Sequence, residues 1–207
     1  SLLAALREGR SIDAETGQIE FTRTDRLDAV NEDAGEPRLL SAEQSNASIA
    51  FSDKVILKLY RRLQEGVQPD IEVARFLTEE TDFTASPALL GTIDWTGPDG
   101  AVTTLAAASE FVRNQGDAWT YVIDALDRDL ERREMGGHST DPAAQEDQPL
   151  LGGPLDIGAV LGRRTAQLHM ALASGAEGTP FAQEPMTPEI VQKLADTVEA
   201  ELADTLE

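Results

Sequence analysis

The chain has 207 residues, 41 % hydrophobic and 27 % charged, the composition of an ordinary globular protein with room for one sizeable domain or two small ones. Its net charge of −21 argues against nucleic-acid backbones and anionic membranes as partners, because both would repel it. With no cysteine, disulfides, thiolate metal sites and cysteine nucleophiles are excluded.

Residues Ser1–Arg10, "SLLAALREGR", lack a signal-peptide pattern and read as the end of a helix. "GQIEFTRT", Gly17 to Thr24, alternates apolar and polar residues and predicts a strand. "NEDAGEPR", Asn31 to Arg38, is turn chemistry. From Arg38 to Arg62 three strands are expected in a meander, with turns at "SNAS" and "SD", whose short polar side chains bond their own backbone.

A helix is expected over "IEVARFLTEET", with Asp70 as its N-cap. "SPALLGTIDWTGPDGAVTTLAAASEFV" predicts a hairpin turning at Gly97–Gly100. Helices follow from about Trp119 to Arg133, over "LDIGAVLGRRTAQLHMALAS", and from Pro188 onward with Thr187 as N-cap. Between the first two lies a Gly- and Pro-rich loop, Met135 to Pro154. No apolar run approaches the roughly 18–20 residues of a membrane span. The last helix runs out without a stop signal, so the chain reads as a piece of a longer protein, cytoplasmic in setting, its acidity serving solubility or a salty cytoplasm. Strands first and helices last is an α+β order.

The chain is poor in lysine, with only Lys54, Lys58 and Lys193. Lys58 sits inside an otherwise apolar strand, sharing a face with Ile56 and Tyr60 while Val55, Leu57 and Leu59 take the other. A lysine there either points to water or meets a carboxylate. Glu72, fourteen residues on in the first turn of the next helix, is a candidate partner. A strand lysine paired to a helix glutamate is the arrangement by which kinases hold the phosphates of ATP. "QSNASIAF" lies ahead of the lysine strand, where a phosphate-covering loop belongs, and its hydroxyl and N–H groups suit anions; it is equally an ordinary hairpin turn. "AAASEFVRNQGDAW" ends a strand and enters a polar linker, as a kinase hinge or any strand-to-helix connection does. His169 reads as a packed helix histidine, the carboxylates of "IDALDRDLERR" as a solvated face, and Trp95 and Trp119 as structural.

The strings "QSNASIAF", "VILKLYRRLQEGVQPDIEVARFL", "EFVRNQGDAW" and "LGRRTAQLH", in that order, resemble the maltokinase family over about Gly17 to Ala173. The resemblance implies a kinase-like fold related to aminoglycoside phosphotransferases: α+β, with a β-rich cap subdomain over residues 1–38, an ATP-binding N-lobe over 39–113 built of an antiparallel sheet with one helix, and a helical segment over 114–207 that begins the C-lobe. It implies transfer of the γ-phosphate of ATP to maltose, giving maltose 1-phosphate, often beside a fused trehalose synthase. Lys58 would contact ATP phosphates with Glu72 as its salt-bridge partner. Ser45, Asn46, Ala47 and Ser48 would form the phosphate loop, and Glu110, Phe111 and Val112 the adenine pocket.

The chemistry of such an enzyme also needs an Asp that accepts the acceptor's proton, and Mg²⁺ ligands. Neither His138 nor His169 begins an H-G-D type loop, and Asp82-Phe83 precedes the hairpin, the wrong place for a metal motif. No catalytic or metal residue is therefore assigned here, and the chain by itself is expected to be inactive. The competing reading is an acidic docking or regulatory module on a trehalose synthase; another small-molecule kinase of the same fold would differ in acceptor alone.

Overall fold

The computed structural model describes residues 2–30, 36–42, 46–134 and 157–206. Seven strands form one antiparallel sheet in the order β1-β2-β6-β7-β5-β4-β3. They are β1 (Ser11–Asp13), β2 (Gln18–Arg23), β3 (Pro37–Ala42), β4 (Asn46–Phe51), β5 (Val55–Tyr60), β6 (Leu89–Thr96) and β7 (Val102–Glu110). Helix α1 (Leu2–Glu8) and a short 3-10 turn (Asp25–Ala29) precede β3; α2 (Pro69–Glu79) follows β5. The helices after the sheet are α3 (Ala118–Glu134), α4 (Ile157–Leu172) and α5 (Pro188–Leu206). The chain divides into two compact units, residues 1–171 and 172–207. The second holds α5, whose first turn is capped as expected: Thr187 Oγ1 accepts the Ile190 N–H at 3.4 Å. The Met135–Pro154 loop and residues 31–35 of the "NEDAGEPR" turn lie outside the described residues.

The meander, the hairpin and the alternation of β5 form as the sequence predicts. One face of the sheet is covered by α1 and the 3-10 turn: Val55, Leu57, Phe21, Leu90 and Ile93 pack there with Leu6 and Leu27. The other face carries a smaller cluster in which Ile71 of α2 meets Leu89 and Ala107, with Tyr60 and Ala74 beside them. The β4–β5 turn is the expected "SD": Ser52 and Asp53 take φ of 47° and 48°, and Lys54 N–H closes it on Phe51 O at 3.0 Å. Two positive φ values match the right-handed twist of a tight hairpin, and Asp tolerates that region better than most residues. The β6–β7 turn closes at the expected glycines, with Gly100 at φ 84°.

Three expectations need correction. Asn46, Ala47 and Ser48 of the expected "SNAS" turn are strand residues paired with β5. Asp70 is not the cap of α2: the helix starts at Pro69 with Gln68 as N-cap, since proline's fixed φ suits the first helical position and its missing N–H is no loss there. His169 is exposed on α4 rather than packed.

Candidate functional site

Register brings a set of polar residues onto the face that α2 covers. Directly paired positions run Thr22, Thr92, Ala107, Lys58, Ser48 across β2, β6, β7, β5 and β4. Ser48 stands opposite Lys58, and Asn46 opposite Tyr60. Side chains of directly opposed residues lie about 5 Å apart at Cβ, so Ser48 and Lys58 rise side by side from one face. Ala47, opposite Leu59, belongs to the other face. Of the expected phosphate-loop residues, Asn46 and Ser48 thus join Lys58, Ala47 does not, and Ser45 lies outside the described residues. All three described ones are strand residues, not loop residues.

Lys58 meets a carboxylate, and it is Asp70 rather than Glu72. Lys58 Nζ lies 2.9 Å from Asp70 Oδ2. Tyr60 donates its hydroxyl to the same oxygen, also at 2.9 Å, and the Lys58 ammonium sits 4.8 Å from the Tyr60 ring centroid. Glu72 makes no ion pair among the described residues. The reason is rotational. Each helical residue turns about 100°, so Asp70 and Glu72 project about 200° apart. The phase of α2 is set by Ile71 and Leu77, which are buried, and by Thr78. The Thr78 hydroxyl donates to Ala74 O at 2.7 Å and accepts the Leu89 N–H at 2.9 Å, pinning the helix to the start of β6. With that phase, Asp70 overhangs the lysine and Glu72 does not.

Burial alone would raise the pKa of Asp70, but the hydrogen bonds from Lys58 and Tyr60 and the lysine's charge outweigh it, and the carboxyl is held below its usual range. Burial, together with the adjacent carboxylate, pushes the Tyr60 phenol well above its ordinary value. The Lys58 and Asp70 side chains are 38 % and 50 % exposed, so their pair is worth at most about 1 kcal/mol. Its effect is to aim an ammonium, not to hold the fold.

A second polar group lies farther along the same face. Thr92 and Thr104 donate to the two oxygens of Asp94 at 2.6 Å each, and Arg75 of α2 donates to the Thr92 hydroxyl at 3.4 Å. Sequence reading missed this cluster because threonines in a strand carry no signal of what they bond.

At the end of β7 the expected hinge residues are largely committed within the protein. Glu110 N–H donates to Ala88 O and Phe111 N–H to Lys54 O, and the Glu110 carboxylate lies 3.6 Å from Arg26. Val112 N–H has no partner among the described residues, so of the three it alone keeps a free donor. Glu110–Val112, Ala29–Val30 and Asp53–Lys54 wall a cleft of about 370 Å³. Val30 packs against the cluster that holds Val55 and Leu57, which places this wall of the cleft on the opposite face from Lys58. Trp95 is structural as expected, its indole N–H donating to Thr16 O at 2.8 Å, whereas Trp119 is 76 % exposed. Among the described residues no trio of His, Asp or Glu gathers to hold a metal, and no helix is long and apolar enough to cross a membrane.

No family model matches the chain. The structure is similar to a glucosamine kinase solved in complex with glucosamine, ADP and inorganic phosphate, with a TM-score of 0.57 at 20 % identity, over 98 % of this chain and 40 % of that one. It is also similar to a glucosamine kinase in a second structure, crystal form B, with a TM-score of 0.50 at 19 % identity, over 98 % of this chain and 54 % of that one. The chain therefore spans about half the length of the proteins it matches. The likeness establishes the fold: a seven-stranded antiparallel sheet with flanking helices, α+β and kinase-like.

Proposed function

We propose that this chain is the nucleotide-binding part of an ATP-dependent sugar kinase. The observation that carries this is the Lys58 ammonium, held by a carboxylate of the following helix and standing opposite Ser48. An ammonium is a point charge with three donors. One goes to Asp70, leaving the others for phosphate oxygens, and the Ser48 hydroxyl adds a neutral donor beside them. No Mg²⁺ ligand is assigned to this chain. Phosphoryl transfer is mostly positioning and charge neutralisation. The chain's share of that work is to bind and orient the nucleotide.

The finer parts of the reading rest on the sequence strings: maltose as acceptor, a trehalose synthase as neighbour, and a division into residues 1–38, 39–113 and 114–207. The catalytic Asp and the metal ligands belong to a C-lobe of which this chain carries only the beginning, so the chain alone transfers no phosphate. The test is Mg·ADP binding by calorimetry and by shift of Tm, for the wild type and Lys58→Met. Binding by the wild type, weakened about tenfold or more in Lys58→Met, is the expected result for loss of a charged phosphate contact. Equal binding by both proteins, or none by the wild type, overturns the reading. Maltose-dependent ADP release by this chain alone would overturn the assignment of the catalytic groups to a C-lobe.

A further inference from the structure

Tyr60 has features that a core tyrosine does not need. Its ring is anchored among Ile71, Leu89 and Ala107, between β5, α2 and the hairpin. A ring fixed in this way makes its hydroxyl a fixed point. That hydroxyl is spent on Asp70 Oδ2, the same oxygen that receives Lys58. The ring meanwhile lies under the ammonium, 4.8 Å from it to the centroid. Lys58 and Tyr60 are two apart on one strand, so they rise from the same face about 7 Å from each other. Asp70 bridges them from above. Without the phenol, the Asp70 carboxylate would keep only the adjacent Ile71 N–H and one long, flexible lysine chain.

We propose that Tyr60 is a positioning residue for Lys58, acting through Asp70; this rests on the reading of Lys58 as the phosphate-binding group. The phenol touches no nucleotide. It fixes the carboxylate torsions, and the fixed carboxylate together with the ring face then sets where the ammonium stands. Glu72 takes no part.

The scarcity of lysine makes the test clean. In a chain labelled with ¹⁵N at its lysines, the ammonium groups of Lys54, Lys58 and Lys193 are the only side-chain signals. A hydrogen-bonded ammonium exchanges slowly enough to be seen, and Lys58→Arg identifies the signal of Lys58. The expected result is that Tyr60→Phe and Asp70→Asn both lose this signal and Glu72→Gln keeps it. In a second sample labelled with ¹⁵N at tryptophan, the indole N–H of Trp95, bonded to Thr16 O, reports that the sheet is intact in each variant. Persistence of the Lys58 signal in Tyr60→Phe, or its loss in Glu72→Gln, overturns the proposal.

Mg·ADP affinity supplies the second arm. Tyr60→Phe should weaken it about fivefold, the factor of one ordinary hydrogen bond. The double variant Tyr60→Phe/Asp70→Asn should be no weaker than Asp70→Asn alone, because the two act as one unit; additive losses overturn the proposal. Should Lys58→Met bind Mg·ADP as the wild type does, the nucleotide reading fails by itself, and the ammonium signal still decides whether Tyr60 positions Lys58.

Discussion

Lys58 Nζ and Tyr60 Oη both lie 2.9 Å from a single oxygen, Asp70 Oδ2. Two donors on one acceptor tie the charge of Asp70 to pH at both ends of the scale. Its folded pKa is depressed below the ordinary 3.8, so its stabilisation is complete above that value and is lost as pH falls through the folded value. On going from pH 7 to pH 3 the wild type should lose more stability than Asp70→Asn, by less than about 1 kcal/mol because the pair is half exposed. Parallel urea titrations of the two proteins check this; equal losses would mean that the pair does not persist in solution.

Tyr60 supplies the alkaline counterpart. Its folded pKa is raised above the ordinary 10.0, so its contribution is complete below pH 10 and is lost as pH rises toward the folded value. Between pH 9 and about pH 11.5 the wild type should therefore lose stability more steeply than Tyr60→Phe. Spectrophotometric titration gives a direct view: in Asp70→Asn the Tyr60 step moves to lower pH.

Thr78 is the pin that fixes the phase of α2. Thr78→Val keeps the shape of the side chain but leaves the Leu89 N–H, at the buried start of β6, without its acceptor. An unsatisfied donor of that kind costs about 1–3 kcal/mol. Thr78→Ser, which retains the hydroxyl, should recover most of the loss in chemical denaturation. Equal destabilisation by Val and Ser would assign the effect to the methyl group instead.

Leu57 is 1 % exposed and points away from Lys58 into the core beneath α1. Leu57→Ala should cost about 2–5 kcal/mol through lost burial and the cavity left behind. Because the two faces of β5 are separate, the slow ammonium signal of Lys58 should survive in the fraction that stays folded. A loss under about 1 kcal/mol would mean that this core is looser than the packing implies.

Gly17 turns the β1–β2 hairpin at φ 97°, and a Cβ on it would stand 2.1 Å from Thr96 O, a backbone atom that cannot step aside. Gly17→Ala should destabilise by more than the roughly 1 kcal/mol of an ordinary left-handed substitution. Gly66, at φ 97° in open space, is the control with the same dihedral and no clash. Similar losses at both positions would show that the close approach to Thr96 is not tight.

The sheet was readable wherever burial imposed a period. Alternation in β5, turn chemistry at Ser52–Asp53 and Gly97–Gly100, and the 3.6-residue rhythm of α2 each point to one outcome. β1 was not readable, since Ser11–Asp13 is three exposed residues held mainly by backbone pairing with β2. The Lys58 site was half readable. That a lysine in an apolar strand meets a carboxylate follows from the cost of burying charge. Which carboxylate it meets depends on where the helix starts and how it is rotated. Pro69 decides the start, and Thr78 the rotation through its bond to Leu89 of β6, which no spacing rule contains. Likewise, the commitment of the Glu110 and Phe111 N–H groups depends on which strand ends lie beside them.

The pairing of β2 with β6 carries a further consequence. Six successive residues, Gln18 to Arg23, bond to the outer side of β6. β6 is among the most apolar strands in the protein, with Leu89, Leu90 and Ile93 buried. A chain started at β3 would leave that strand with a row of unsatisfied N–H and C=O groups along a hydrophobic border, the kind of border that recruits other chains. The first 24 residues thus act as a seam sealant. Their removal should show first as self-association, at concentrations where the whole chain stays dispersed.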